Sequence, residues 1–160
     1  MSVTIVDAGP RKISRSAEVR APAGEIFEIV ADPRRHSELD GSGTVMDNVT
    51  GPQRLSADAR FSTKMKMYGV PYKITSVITD FEDGRVVEWQ HPLGHRWRWE
   101  LKPLSADTTL VTETFDYSRL GAAKANGLKW FGALSQNIKG IESTLTQLQS
   151  RFAAAETPGS

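Results

Sequence analysis

The hydrophobic pattern of this chain changes period at Gly121, and that change restricts its folding more than any other feature. Upstream, turn signals recur at strand-length intervals: Gly51-Pro52, Gly69-Val70-Pro71, Asp83-Gly84, Pro92-Leu93-Gly94 and Ser105-Ala106-Asp107. That is the rhythm of an antiparallel meander. Downstream, Gly127, Phe131, Leu134, Ile138, Ile141, Leu145, Leu148 and Phe152 alternate steps of four and three, so they share one stripe of a helix. Lys129, Gln136, Lys139, Ser143 and Gln147 fall elsewhere. A helix over 127–154 spans roughly 40 Å at the usual rise per residue, enough to cross a whole sheet. The stripe has to be buried, and the meander offers the surface.

The remaining elements follow from local chemistry. Residues 11–20 read as a first strand, with Ile13, Ala17 and Val19 on one parity and the basic residues assigned to the other. Ala21-Pro22-Ala23-Gly24 breaks it, and Ile26, Phe27, Ile29 and Val30 then follow helical spacing. Asp32-Pro33 supplies an N-cap with proline at the first helical position, predicting a second short helix to about Leu39. Six further strands begin near Thr44, Ala59, Tyr72, Arg85, His95 and Thr108, which makes seven. The expected organisation is a flexible N-terminus over 1–10, one α+β domain over 11–154 and a disordered tail over 155–160.

Alternate residues of a strand face opposite sides. One parity collects Phe61, Thr63, Met65 and Met67, another Trp97, Trp99 and Leu101, and a third Val87, Trp89 and His91. These faces are expected inside, with Arg96 and Arg98 outside as solvated charges. In the last strand the more apolar parity is Val111, Glu113, Phe115 and Tyr117, which brings a carboxylate inside. The reverse parity buries Leu110, Thr112 and Thr114 and leaves Glu113 in water, and strand pattern alone leaves both open.

Charge and composition narrow the function classes. Twenty basic against nineteen acidic side chains leave a net charge of +1, too little for a global field that gathers nucleic acid. There is no cysteine, which removes disulfides, thiolate metal sites and cysteine nucleophiles and fits a reducing, cytoplasmic compartment. Met1 to Asp7 has no basic region leading into an apolar run, and no stretch approaches a membrane span. The nucleophile elbow, the P-loop and the dinucleotide-binding glycine turn are missing. His91 and His95 are four apart, but Pro92 and Gly94 put a turn between them rather than a helix, and no third ligand is spaced for zinc. The expectation is therefore neither metal nor cofactor.

The order of strand, two short helices, six-stranded meander and long amphipathic helix resembles the START-like and polyketide cyclase/dehydrase (SRPBCC) superfamily. Three stretches carry the resemblance: Ala21 to Phe27 with Ala31-Asp32-Pro33, then Val87-Glu88-Trp89, then Thr109 to Glu113. The resemblance implies a helix-grip fold, in which a curved sheet of seven strands (β-α-α-β6-α) wraps around the C-terminal helix. It also implies a cavity that holds lipids, polyketides or other apolar molecules. A curved sheet and a straight helix cannot touch along their whole length, so a gap is expected on physical grounds too. The expected lining is Phe61, Met65, Met67, Tyr72, Trp89, Trp97, Trp99, Phe115, Gly127, Phe131, Leu134 and Ile138.

Three functions fit this frame. The first is a carrier or sensor, monomeric or homodimeric, that encloses a small apolar molecule without inserting stably into a membrane. The second is a cyclase, aromatase or dehydratase in which Glu113, His91 or Tyr117 moves protons. The third is an interaction or toxin-like regulatory protein with no ligand. Core packing alone accounts equally well for Tyr72 and Tyr117.

Overall fold

Eight strands pair into a single antiparallel sheet in the computed structural model, which describes residues 3–32, 35, 45–52, 54–121 and 133–155. For 45–50, 65–67, 133, 134, 136, 154 and 155 it describes the backbone alone. The elements in chain order are β1 (Thr4–Val6), β2 (Lys12–Val19), α1 (Ala23–Val30), β3 (Val45–Thr50), β4 (Arg60–Met67), β5 (Val70–Glu82), β6 (Val86–Gln90), β7 (Arg96–Pro103), β8 (Thr109–Asp116) and α2 (Ala133–Ala155). The sheet order is β1-β2-β8-β7-β6-β5-β4-β3. Neighbours in sequence are therefore neighbours in space from β3 to β8, and β2 closes onto β8.

One strand more is present than the seven expected. Thr4–Val6, in the segment expected as a flexible lead-in, pairs with Ser14–Ser16 of β2; three residues are too short to show a period in sequence. The second short helix expected from Asp32 to Leu39 falls largely outside the described residues, as do 127–132 of the long helix and 156–160 of the tail. The first central turn also differs. Val70 and Pro71 belong to β5, and the turn is the two-residue Tyr68-Gly69 closed by the pair Met67 and Val70. Both residues have positive φ, 51° and 80°, as a type I′ hairpin requires.

The core is set by the helices. Pro22 stands extended at the N-cap of α1, and Ile26, Phe27, Ile29 and Val30 are buried. The Thr109 hydroxyl donates to the Ala21 carbonyl at 2.8 Å, which fixes the break between β2 and α1 to β8. On α2, Ile141, Leu145 and Leu148 are fully buried with Val111 and Phe115 of the sheet, each such side chain contributing roughly 1.5–3 kcal/mol by burial. The Gln149 amide donates to the Glu18 carbonyl at 2.9 Å, and Glu142 lies against Arg15. Contacts of 142 with 15 and of 149 with 18 mean that α2 runs in the direction of β2. Its N-terminal end therefore lies at the Lys12 end of the sheet, beside the β6–β7 turn.

Candidate ligand-binding face

The side of the sheet that faces α2 is fixed by β8. Val111, Glu113 and Phe115, then Tyr117 just beyond the strand, are all buried, and Val111, Phe115 and Tyr117 share one cluster with the buried stripe of α2. The more apolar parity is thus the inward one, and Glu113 is inside at 6% exposure. Its direct cross-strand neighbours are Trp99 on β7 and Arg15 on β2.

Arg15 corrects the sequence reading of β2. It shares the parity of Ile13 and Ala17 and so faces inward with them, not outward with Lys12. Its side chain is 12% exposed, its Nε lies 3.8 Å from the Glu142 carboxylate of α2, and its Nη1 donates to the Ser14 carbonyl at 2.8 Å. Burying a guanidinium is tolerable only near acidic partners, and Glu142 supplies one across the helix. Counting 13, 15, 17 by twos would have found it. Its charge masked the parity.

At the β6–β7 turn the two histidines meet across the hairpin. Their rings stack with centroids 4.3 Å apart and planes 18° from parallel, and the His95 ring lies 5.1 Å from that of Phe115. Trp97 and Tyr117 pack on other parts of Phe115, at 4.8 and 5.7 Å. The Leu93 N–H donates to His91 Nδ1 at 3.1 Å, so a neutral His91 carries its proton on Nε2. Burial, and then the neighbouring His91, push the His95 pKa down to about 4. Burial also lowers that of His91. Both imidazoles are thus neutral near pH 7 and can accept or donate a hydrogen bond. Among the described residues, no group of three or more His, Asp or Glu side chains is placed to hold a metal ion.

The other expected lining residues divide. Phe61 and Trp99 are buried, and Trp89, Trp97, Tyr72 and Ile138 are half-buried. Phe61 meets Trp89 edge-on at 5.7 Å. Tyr72 lies on the part of β5 past the last β5–β6 pair, Val77 with Gln90, and so stands apart from the tryptophans. Gly127 and Phe131 lie outside the described residues, and Met65, Met67 and Leu134 are described by backbone alone. The cavity expected beneath the helix depends partly on these five.

The opposite face holds a different kind of depression, about 490 Å³, lined by Lys12, Asp80, Glu88, Arg96, Arg98 and Asp116 among others. Arg96 and Arg98 are outside as expected but not simply solvated. The Glu88 carboxylate, 7% exposed as a residue, accepts from Arg96 at 3.2 Å, Arg98 at 3.3 Å and Thr79 at 2.9 Å. Arg98 also reaches Asp80 and Glu100, each at 2.8 Å. Charges that satisfy one another across β5, β6 and β7 hold the sheet together and leave this hollow unsuited to an apolar molecule.

Comparison with known proteins agrees with this architecture. A family model described as "Polyketide cyclase / dehydrase and lipid transport" matches residues 10–153. The uncharacterized protein Rv0088 of Mycobacterium tuberculosis is 57% identical over 156 residues, covering 96% of this chain and 69% of that one. The crystal structure of the di-domain ARO/CYC BexL, from the BE-7585A biosynthetic pathway, superposes with a TM-score of 0.68 at 20% identity. That match covers 92% of this chain and 48% of BexL. The Zhui aromatase/cyclase of Streptomyces sp. R1128 superposes with a TM-score of 0.60 at 17% identity, covering 91% of this chain and 98% of its own. At those identities the two structures speak to the fold.

Proposed function

The chain belongs to the polyketide cyclase/dehydrase and lipid transport family, and from that premise we propose that it binds a small, largely apolar molecule between the sheet and α2. The observation that carries this is the composition of the inward face, where Trp89, Trp97, Trp99, Phe61 and Phe115 gather beside Glu113, Tyr117 and the histidine pair. Such a wall suits a hydrophobic ligand whose few oxygens meet Glu113, Tyr117 or the histidine pair. This reading takes the protein as a cytoplasmic monomer or homodimer that uses no metal or cofactor. Among the described residues no helix is long and apolar enough to cross a membrane. Native mass spectrometry of protein purified from its own host is expected to show a bound apolar adduct. Repeated preparations without one, together with no apolar dye competing for a site, would refute the reading.

A second reading is a cyclase, aromatase or dehydratase, and the burial of Glu113 on the inward face favours it specifically. A carboxylate held beside a bound chain can take a proton next to a carbonyl, and Tyr117 or a neutral histidine can return one to a departing hydroxyl. Glu113→Gln is then expected to abolish turnover of an accepted substrate while keeping ligand affinity and melting temperature close to wild type. Undiminished turnover would remove Glu113 from the chemistry, and loss of folding would assign it a structural role.

A further inference from the structure

The ladder between β5 and β6 ends at Val77 and Gln90, yet β5 begins at Val70. Residues 70–76, with their partners on β4, therefore run past the β6–β7 turn as an arm of roughly 20 Å at the usual rise of a strand. Because antiparallel strands alternate in direction, the Tyr68-Gly69 turn and the Leu93 turn lie at the same end of the sheet. It is also the end where α2 begins.

Two of the largest exposed apolar side chains are at the end of this arm. Tyr68 is 98% exposed at the tip of the arm and Val70 64%. Behind the tip, Lys64 and Lys73 are direct cross-strand partners, both exposed. Like charges directly opposite one another destabilise a sheet. Among the described residues no salt bridge relieves this pair. Lysines on a projecting strand also guard against unwanted strand pairing, but that purpose needs no aromatic at the tip. Tyr68 is itself a poor choice for its turn, since φ of 51° at the first position of a type I′ turn favours asparagine or glycine.

We propose that the β4–β5 arm docks the protein on an anionic lipid surface, with Tyr68 and Val70 entering the headgroup layer and Lys64 and Lys73 meeting lipid phosphates. An exposed apolar tip backed by exposed lysines complements such a surface, where tyrosine partitions well. A protein partner would ask for a broader continuous apolar patch than two side chains at one tip. The net charge of +1 is no obstacle, because screening confines each cation's influence to its neighbourhood. The docking goes beyond the ligand reading and does not rest on it, since the arm is outside the tryptophan-lined face.

Flotation of the full chain, free of added ligand, with phosphatidylcholine vesicles containing or lacking phosphatidylglycerol tests the idea. Binding is expected only to the anionic vesicles, with release in high salt. Tyr68→Asn suits the turn better and removes the aromatic, so it is expected to keep or raise the melting temperature while weakening vesicle binding. Lys64→Glu converts the like-charge pair into an opposite-charge one, and is expected to stabilise the arm while weakening binding by at least roughly tenfold, each basic residue near such a surface being worth about fivefold. No flotation, equal binding to neutral vesicles, or retention of binding by both variants would overturn the proposal. So would capture of an acidic polypeptide that competes with vesicles and is indifferent to Tyr68→Asn.

Discussion

Over β2, β8 and β7 the inward side chains pack beneath α1 and α2, whereas β4 and β5 carry their pairing out beyond the neighbouring turn. In the first region Val111, Leu145 and Leu148 have no exposed surface, and in the second Tyr68 and Val70 are mostly surface. The contrast separates two demands on one sheet. The helix-covered half stabilises the fold by burial, so the projecting half need not, and it can keep residues that do little for stability.

The contrast breaks most readily by truncation. Leu145→Ala is expected to cost about 2–5 kcal/mol, the range for removing a fully buried leucine, while Val70→Ala at the arm should stay within about 0.5 kcal/mol. Denaturant midpoints measure both. Comparable losses at the two sites would mean that the arm is packed in solution and that the division does not hold.

Acid should act on the covered half next. With the His95 pKa pushed down to about 4 by burial and by His91, the unfolded chain binds the proton more readily than the folded one between pH 6.5 and 4. Stability is therefore complete above the unfolded value and falls as pH drops through this window, by up to about 3 kcal/mol. Denaturation curves between pH 7 and 4 should show the fall, and His95→Phe should flatten it. An unchanged slope in that variant would shift the effect to another group. Asp116 contributes at lower pH. Burial raises its pKa, but hydrogen bonds from Ser118 and the charges of Lys12 and Arg119 outweigh that and hold it below the ordinary value. Its contribution is lost only as pH falls through and below the usual carboxylate range.

How far the sequence revealed this arrangement follows from what each signal measures. Period gave α2 and the meander, because eight stripe positions and five turns repeat the same message. It puts Trp97 and Trp99 on the inward face and leaves Glu113 and Phe115 together balanced between two parities, since Leu110, Thr112 and Thr114 bury as plausibly as Val111 and Phe115. Only the contact with α2 decides it. The charge of Arg15 reads as outward, and the Glu142 carboxylate that makes its burial tolerable is 127 positions away. The stacking of His91 on His95 also needed geometry, because a Pro-Gly turn fixes that two strands meet but not how rings orient. The arm stayed hidden because Gly69-Val70-Pro71 reads as a turn, while Pro71 in fact pairs with Lys66 in the ladder.

The smallest effect compares the two regions most directly, because each contains one hydroxyl pair of the same kind. Ser14 Oγ and Thr114 Oγ1 lie 2.8 Å apart between β2 and β8, and Ser62 Oγ and Thr75 Oγ1 lie 2.8 Å apart between β4 and β5. Ser14 and Thr114 are buried, at 1% and 6% exposure, while the second pair is open to water. Removing either buried hydroxyl strands its partner, so Ser14→Ala and Thr114→Val should each cost about 1–2 kcal/mol, and the double variant well under their sum. At Ser62 and Thr75 water replaces whichever hydroxyl is lost, and the same cycle of substitutions should give a coupling near zero. Equal coupling energies in the two cycles would show that solvent is excluded from the arm as thoroughly as from the covered sheet, and the arm could then no longer be described as a free surface.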